Sequence, residues 1–128
     1  MKMNLTYFIG YHIVRGLARA FFDLKVIGRR KLIEEGPCVY VVNHQSFLDP
    51  PMVGQLFERP VYFLARKTLF DHPLMHRLLP HCRALPIDQE RPDPASIMRV
   101  LRMVRAGEPL VIFPEGSRSP DGQIHEAM

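Results

Sequence analysis

The stretch Val39-Tyr40-Val41-Val42-Asn43-His44-Gln45-Ser46-Phe47-Leu48-Asp49 decides how the chain is read. An apolar run hands over to a polar one and places His44 and Asp49 five positions apart. Five residues at about 100° each leave two side chains roughly 140° apart on a straight α-helix. An odd offset puts them on opposite faces of a strand. A loop running into a helix lets them meet, and Pro50-Pro51 supplies that setting. Proline suits a first helical turn, and the residue before it avoids the α region, so Asp49 reads as a helix cap. From a helix start, where the macrodipole favours a carboxylate, Asp49 holds one ring nitrogen of His44. The other nitrogen is then free to take a proton from a hydroxyl.

A second block, Val111-Ile112-Phe113-Pro114-Glu115-Gly116-Ser117-Arg118-Ser119, also follows a strand-like apolar run. Gly116 permits a positive φ that turns backbone N–H groups toward an anion. Arg118 has the fork geometry for a phosphate. Together, Asn-His-x-x-x-x-Asp and Phe-Pro-Glu-Gly-Ser-Arg-Ser resemble, in order, two signatures of the glycerolipid acyltransferases, the family that includes the 1-acylglycerol-3-phosphate acyltransferases.

That resemblance implies O-acyl transfer from a thioester to a glycerolipid hydroxyl in phospholipid synthesis, with His44 as base and Asp49 as its orienting partner. It also implies that Glu115, Gly116, Ser117 and Arg118 bind the glycerol-phosphate headgroup, with Glu115 orienting Arg118 or an acceptor hydroxyl. The implied partners are a lysophospholipid acceptor and an acyl thioester donor, on coenzyme A or acyl carrier protein. No cofactor, metal or nucleic acid is expected. The sequence leaves the acyl chain, the donor's carrier and the acceptor open.

The middle of the chain departs from the family pattern of a basic residue, Leu-Phe-x-x-Pro-x-x-Gly, then Gly-x-x-x-(Ile/Val)-Asp-Arg. Leu69, Phe70 and Pro73 match, but His76 and Arg83 stand at the glycine positions and Gln89 at the arginine. Arg91 and Arg83 are candidates for the missing positive charge. Family members also continue beyond the length seen here, which leaves a truncated, inactive membrane-binding remnant as the alternative reading.

Composition is that of an ordinary globular domain: 128 residues, 47% hydrophobic and 23% charged. The net charge of +4 suits anionic ligands or a lipid surface. Cys38 and Cys82 make no disulfide framework and read as reduced and intracellular. Leu5 to Leu24 is apolar, but His12, Arg15, Arg19 and Asp23 recur along one stripe, which argues against a membrane span or a signal-peptide core. Residues 1–24 therefore read as an amphipathic interfacial helix with Tyr7, Phe8, Tyr11, Phe21 and Phe22 on its apolar side. A helix packed on the domain's own core is the competing reading. The expected location is the cytoplasmic face of the cell membrane.

Residues 25–128 read as the amino-terminal part of an α/β acyltransferase domain, a mostly parallel sheet flanked by helices. Strands are expected at Lys25–Gly28, Cys38–Val42, Val61–Ala65, Ala84–Ile87 and Leu110–Phe113. Helices are expected at Asp49–Phe57 and Ala95–Ala106, with an irregular one over Thr68–Leu79, interrupted by Asp71-His72-Pro73. Ligands of such sheets bind beyond the carboxyl ends of strands, where both blocks fall. His72, His76, His81 and Cys82 lack the spacing of a zinc site. Ser46 and Ser117 lack the Gly-x-Ser-x-Gly elbow of a serine hydrolase.

Overall fold

A computed structural model describes residues 5–33, 35–123 and 126. Residues 1–4 of the expected interfacial segment, and 34, 124, 125, 127 and 128 of the domain, lie outside the described residues. The elements run α1 (Leu5–Phe21), β1 (Val39–Val41), α2 (Asp49–Gly54), β2 (Tyr62–Arg66), α3 (Pro73–His81), β3 (Ala84–Ile87), α4 (Pro94–Arg105) and β4 (Leu110–Ile112). The four strands form one parallel sheet in the order β1-β4-β2-β3. Val39 pairs with Leu110 and Tyr62 with the same Leu110, so β4 lies between β1 and β2. Pro86 has no N–H to donate, and it is tolerated because β3 is an edge strand.

One face of the sheet carries the core. Phe57, Val61, Phe63 and Val111 are buried there, with Tyr40, Val53 and Leu56 packed against them. The Tyr40 and Phe57 rings lie 4.7 Å apart, and the Tyr40 hydroxyl donates to the Ile33 carbonyl. α2 closes on the core at Gly54, where a Cβ would lie in van der Waals contact with the Phe63 ring, 3.4 Å away. At the amino ends of the strands, Arg59 donates to the carbonyls of Gly36 and Gly107, tying the turns before β1 and β4 together. On the other face of β1, Val39 and Val41 stay largely exposed, Val41 at 65%.

α1 packs through Tyr7, Tyr11, Val14 and fully buried Ala18, spaced four, three and four apart. The Tyr11 hydroxyl donates to the Gln55 carbonyl just past α2. The aromatic residues expected on the outer side are thus divided. Tyr7 and Tyr11 face the protein, whereas Leu5, Ile9, Ile13, Leu17 and Phe21 are exposed on the helix. No helix among the described residues is long and apolar enough to cross a membrane.

One local expectation is corrected, and two others take a definite form. Lys25–Gly28 is not a strand: Ile27 is 93% exposed, no strand among the described residues pairs with the segment, and Gly28 turns it away at φ 78°. Instead Leu24 to Ile27 lines one wall of a cavity of about 320 Å³, opposite Asn43, Asp49 and Met52. The irregular helix of Thr68–Leu79 breaks where expected, at Asp71-His72-Pro73, into a 3-10 helix over Lys67–Asp71 and α3, which starts at Pro73. His72 caps α3, its Nδ1 accepting from the Leu74 N–H. The amphipathic α4 buries its apolar face only in part: Val100 and Val104 are half-buried, while Ile97 and Leu101 are more than two-fifths exposed.

Candidate active site

β1 and β4 are adjacent and parallel, so the chain leaves both at the same end of the sheet. The pairing continues one step further, with the Val42 N–H donating to the Ile112 carbonyl. The His44 loop and the Pro114–Ser119 turn therefore begin side by side. His44 is held from both directions by the second block: its N–H donates to Glu115 Oε1 at 3.3 Å, and its carbonyl accepts from the Ser119 N–H at 2.7 Å. Its ring lies against Phe113, with centroids 4.4 Å apart. Backbone and ring are both fixed before Asp49 is considered.

Asp49 meets His44 as the spacing requires, with Oδ2 3.0 Å from Nδ1. The same oxygen accepts from the backbone N–H of Gln45 at 2.6 Å and of Ser46 at 2.7 Å. The way it does so differs from a helix cap. Asp49 is the first residue of α2, Leu48 occupies the cap position, and the carboxylate turns back into the loop. Two consecutive amides aimed at one oxygen offer a stronger anchor than the amides of a helix whose second and third residues are prolines. Burial pushes the Asp49 carboxyl up, but the donors from Ser46, Gln45 and His44 outweigh it and hold it below the usual aspartate range. An ionised Asp49 can only accept, so Nδ1 carries the hydrogen and Nε2 presents its lone pair.

The second block makes a tight turn. The Gly116 N–H donates to the Phe113 carbonyl, and Gly116 adopts φ 64°, the left-handed region for which glycine is suited. Glu115 is buried, 7% exposed, and its Oε1 faces the His44 amide rather than Arg118. Among the described residues no ion pair joins Glu115 to Arg118; of the two roles expected for Glu115, toward Arg118 or an acceptor hydroxyl, the first has no such contact, and its Oε1 accepts from the His44 amide. Ser117 and Arg118 are exposed, and the Arg118 guanidinium lies 3.7 Å from the centroid of the Phe47 ring.

Arg66 and Gln89 complete the arrangement from the carboxyl ends of β2 and β3. Arg66 donates to Gln89 Oε1 at 2.8 Å, and both residues donate to the Gly116 carbonyl, at 3.1 and 3.0 Å. In a trans peptide the carbonyl and the following N–H point opposite ways, so this grip also aims the Ser117 N–H. Arg66 is thus the cation beside Gln89. Arg83 lies before β3, at the far end of the sheet, packed over the Tyr62 ring and 3.8 Å from Glu108. Arg91 contributes a backbone N–H to Asp88 Oδ1. The sequence signal for Arg66 was its place at the end of an apolar strand next to Lys67. Gln89 was marked only by standing at the family pattern's arginine position, and Phe47 had no signal of its own. Among the described residues, no three His, Cys, Asp or Glu side chains converge as a metal site.

The parallel α/β sheet thus carries a carboxylate-anchored histidine and a glycine turn together beyond its strand ends, where ligands of such sheets bind and where a histidine can serve as a general base. Residues 23–128 match the Acyltransferase family model, and the chain belongs to that family. It is similar to the 1-acyl-sn-glycerol-3-phosphate acyltransferase of Bacillus subtilis, 27% identical over 99 residues, which cover 77% of this chain and 50% of the relative. A chloroplastic 1-acyl-sn-glycerol-3-phosphate acyltransferase of Brassica napus is 35% identical over 112 residues, covering 81% of this chain and 31% of the relative. The crystal structure of the 1-acyl-sn-glycerophosphate acyltransferase from Thermotoga maritima shares the fold, with a TM-score of 0.71 at 23% identity, covering 94% of this chain and 46% of that one. The chain spans half or less of the length of these relatives.

Proposed function

We propose that the chain transfers a fatty acyl group from an acyl thioester to the hydroxyl of lysophosphatidate or a similar glycerolipid. The observation that carries this reading is the His44–Asp49 pair, 3.0 Å apart and fixed on the same turn that presents Arg118. Nε2 of His44 takes the hydroxyl proton as the oxygen attacks the thioester carbonyl. The C–S bond breaks, and the leaving thiolate takes that proton back from the imidazolium. No covalent enzyme intermediate is needed. Arg118 and the turn at Gly116 and Ser117 receive the acceptor's phosphate, and the apolar cavity beside Asp49 receives an acyl chain.

The exposed aliphatic strip of α1, continued by Phe22 and Leu24, lies on an anionic lipid surface at the cytoplasmic face of the membrane. Arg19 and the net charge of +4 support that placement.

The test is thioester turnover with lysophosphatidate by wild type and His44→Ala. Loss of at least about 10²-fold in kcat with an unchanged melting temperature is expected. Equal turnover by the two would sink the assignment, and lysophosphatidate binding without turnover in wild type would make the chain a binding protein instead.

A further inference from the structure

Phe47 is an anomaly in the catalytic loop. It is 67% exposed, so burial does not account for a phenylalanine between His44 and Asp49. Its described ring contact is with the Arg118 guanidinium, 3.7 Å from the centroid. At that separation the guanidinium carbon lies over the ring face, because an edge-on approach would drive it into the ring hydrogens. Stacking engages the faces of the guanidinium, which carry no hydrogens, and leaves its five N–H donors in the plane around it. No acceptor for those donors is found among the described residues. Arg118 is therefore oriented with its donor edge turned to solvent, open to a ligand.

The platform itself is stiff. Asp49 Oδ2 takes the amides of Gln45 and Ser46, the Asp49 N–H returns to the Ser46 carbonyl, and the Leu48 N–H donates to Ser46 Oγ. Every residue flanking Phe47 is thus tied to a neighbour, and the loop's other end is the base.

We propose that Phe47 is a positioning residue, whose ring holds Arg118 so that its N–H edge meets the acceptor's phosphate at a fixed distance from His44. This rests on the reading of Arg118 as the headgroup contact. In this arrangement one short loop sets both the proton acceptor and the anchor of the substrate being deprotonated. Headgroup recognition then depends on the aromatic face of Phe47, and not on its bulk.

The experiment measures equilibrium binding of lysophosphatidate, and of monoacylglycerol with the same chain, to the 128-residue chain in detergent micelles. Wild type is compared with Phe47→Ala, Phe47→Leu, Phe47→Trp, Arg118→Ala and the Phe47→Ala/Arg118→Ala double variant, each checked by thermal melting. Phe47→Ala and Phe47→Leu should weaken lysophosphatidate about two- to fivefold and leave monoacylglycerol unchanged. Phe47→Trp should match or exceed wild type, since tryptophan is the best cation–π partner. In the Arg118→Ala background, Phe47→Ala should have no further effect. Full affinity in Phe47→Leu, or an undiminished loss in the double variant, overturns the proposal while leaving the phosphate reading intact. If wild type and Arg118→Ala bind both lipids alike, the phosphate reading fails and the proposal falls with it.

Discussion

Asp49 concentrates three hydrogen bonds on one oxygen, and this has a pH signature. Its carboxyl is held below the usual range, so the folded state binds the proton more weakly than the unfolded chain does. The resulting stabilisation is fully present above the ordinary aspartate range and is lost as the pH falls through the lower folded value. Urea unfolding of wild type and Asp49→Asn should therefore differ most near neutrality, and the gap should shrink in strong acid. A gap independent of pH would contradict this. Arg118 offers a second test at this scale. Arg118→Lys replaces a fork by a point charge and should raise the acceptor's KM more than the thioester's, by about 1.5–3 kcal/mol. Removing the acceptor's phosphate should then cost wild type heavily and the variant little. If both discriminate equally, Arg118 does not read the headgroup.

Some single residues were legible in the sequence and others were not. His44 and Asp49 were, because a five-residue offset before two prolines excludes regular structure. The inward turn of Glu115 was not, because its partner is a backbone amide 71 positions away. Arg83 teaches a different lesson. The family pattern has glycine there, and the backbone does adopt φ 58° at Arg83. Arginine takes the left-handed region there, with its guanidinium over the Tyr62 ring and 3.8 Å from Glu108.

At the scale of elements, α1 shows why one amphipathic pattern admitted two readings. The helix has two apolar arcs. Tyr7, Tyr11, Val14 and Ala18 face α2 and the sheet, and Leu5, Ile9, Ile13 and Leu17 face away. Periodicity reports that a helix is apolar along a line, and it is silent about which line meets protein. The arcs separate experimentally. Ile13→Asp should abolish adsorption to anionic vesicles and leave the melting temperature unchanged, since Ile13 is 56% exposed. Ala18→Leu should lower stability by about 1–3 kcal/mol through overpacking and leave adsorption in the folded protein intact. Binding of Ile13→Asp equal to wild type would return the outer arc to some other role. Lys25–Gly28 misled for a related reason: a short apolar run between turn residues is strand-like locally, but a strand needs a partner edge.

For the whole molecule, alternation of strands and helices was enough to place both signature blocks at strand ends and to expect a parallel sheet. Which strands are neighbours was beyond it. The order β1-β4-β2-β3 depends on burial of Val111 and Phe63 on the same face, contacts between residues far apart in the chain. Val111 is fully buried at the centre of that face. Val111→Ala should destabilise by roughly 1–3 kcal/mol, and much of the loss should appear as slower refolding rather than faster unfolding. Stopped-flow refolding would show it; an effect confined to the unfolding limb would place β4 docking after the rate-limiting step.

The insertion of β4 between β1 and β2 also governs when the site comes into being. Until Leu110–Ile112 arrives, β1 has no described strand to pair with, and the His44 loop lacks both of its backbone anchors. These are non-local contacts, which close late because loop-closure entropy must first be overcome. On a ribosome adding roughly 5–20 residues per second, the loop with the base would wait several seconds for the strand that completes it. During that interval the nascent chain exposes an unpaired β-edge rich in valine, with α1 already synthesised. Chains stalled between the emergence of β1 and that of β4 should therefore crosslink to chaperones more than chains stalled after β4, and equal crosslinking would contradict this.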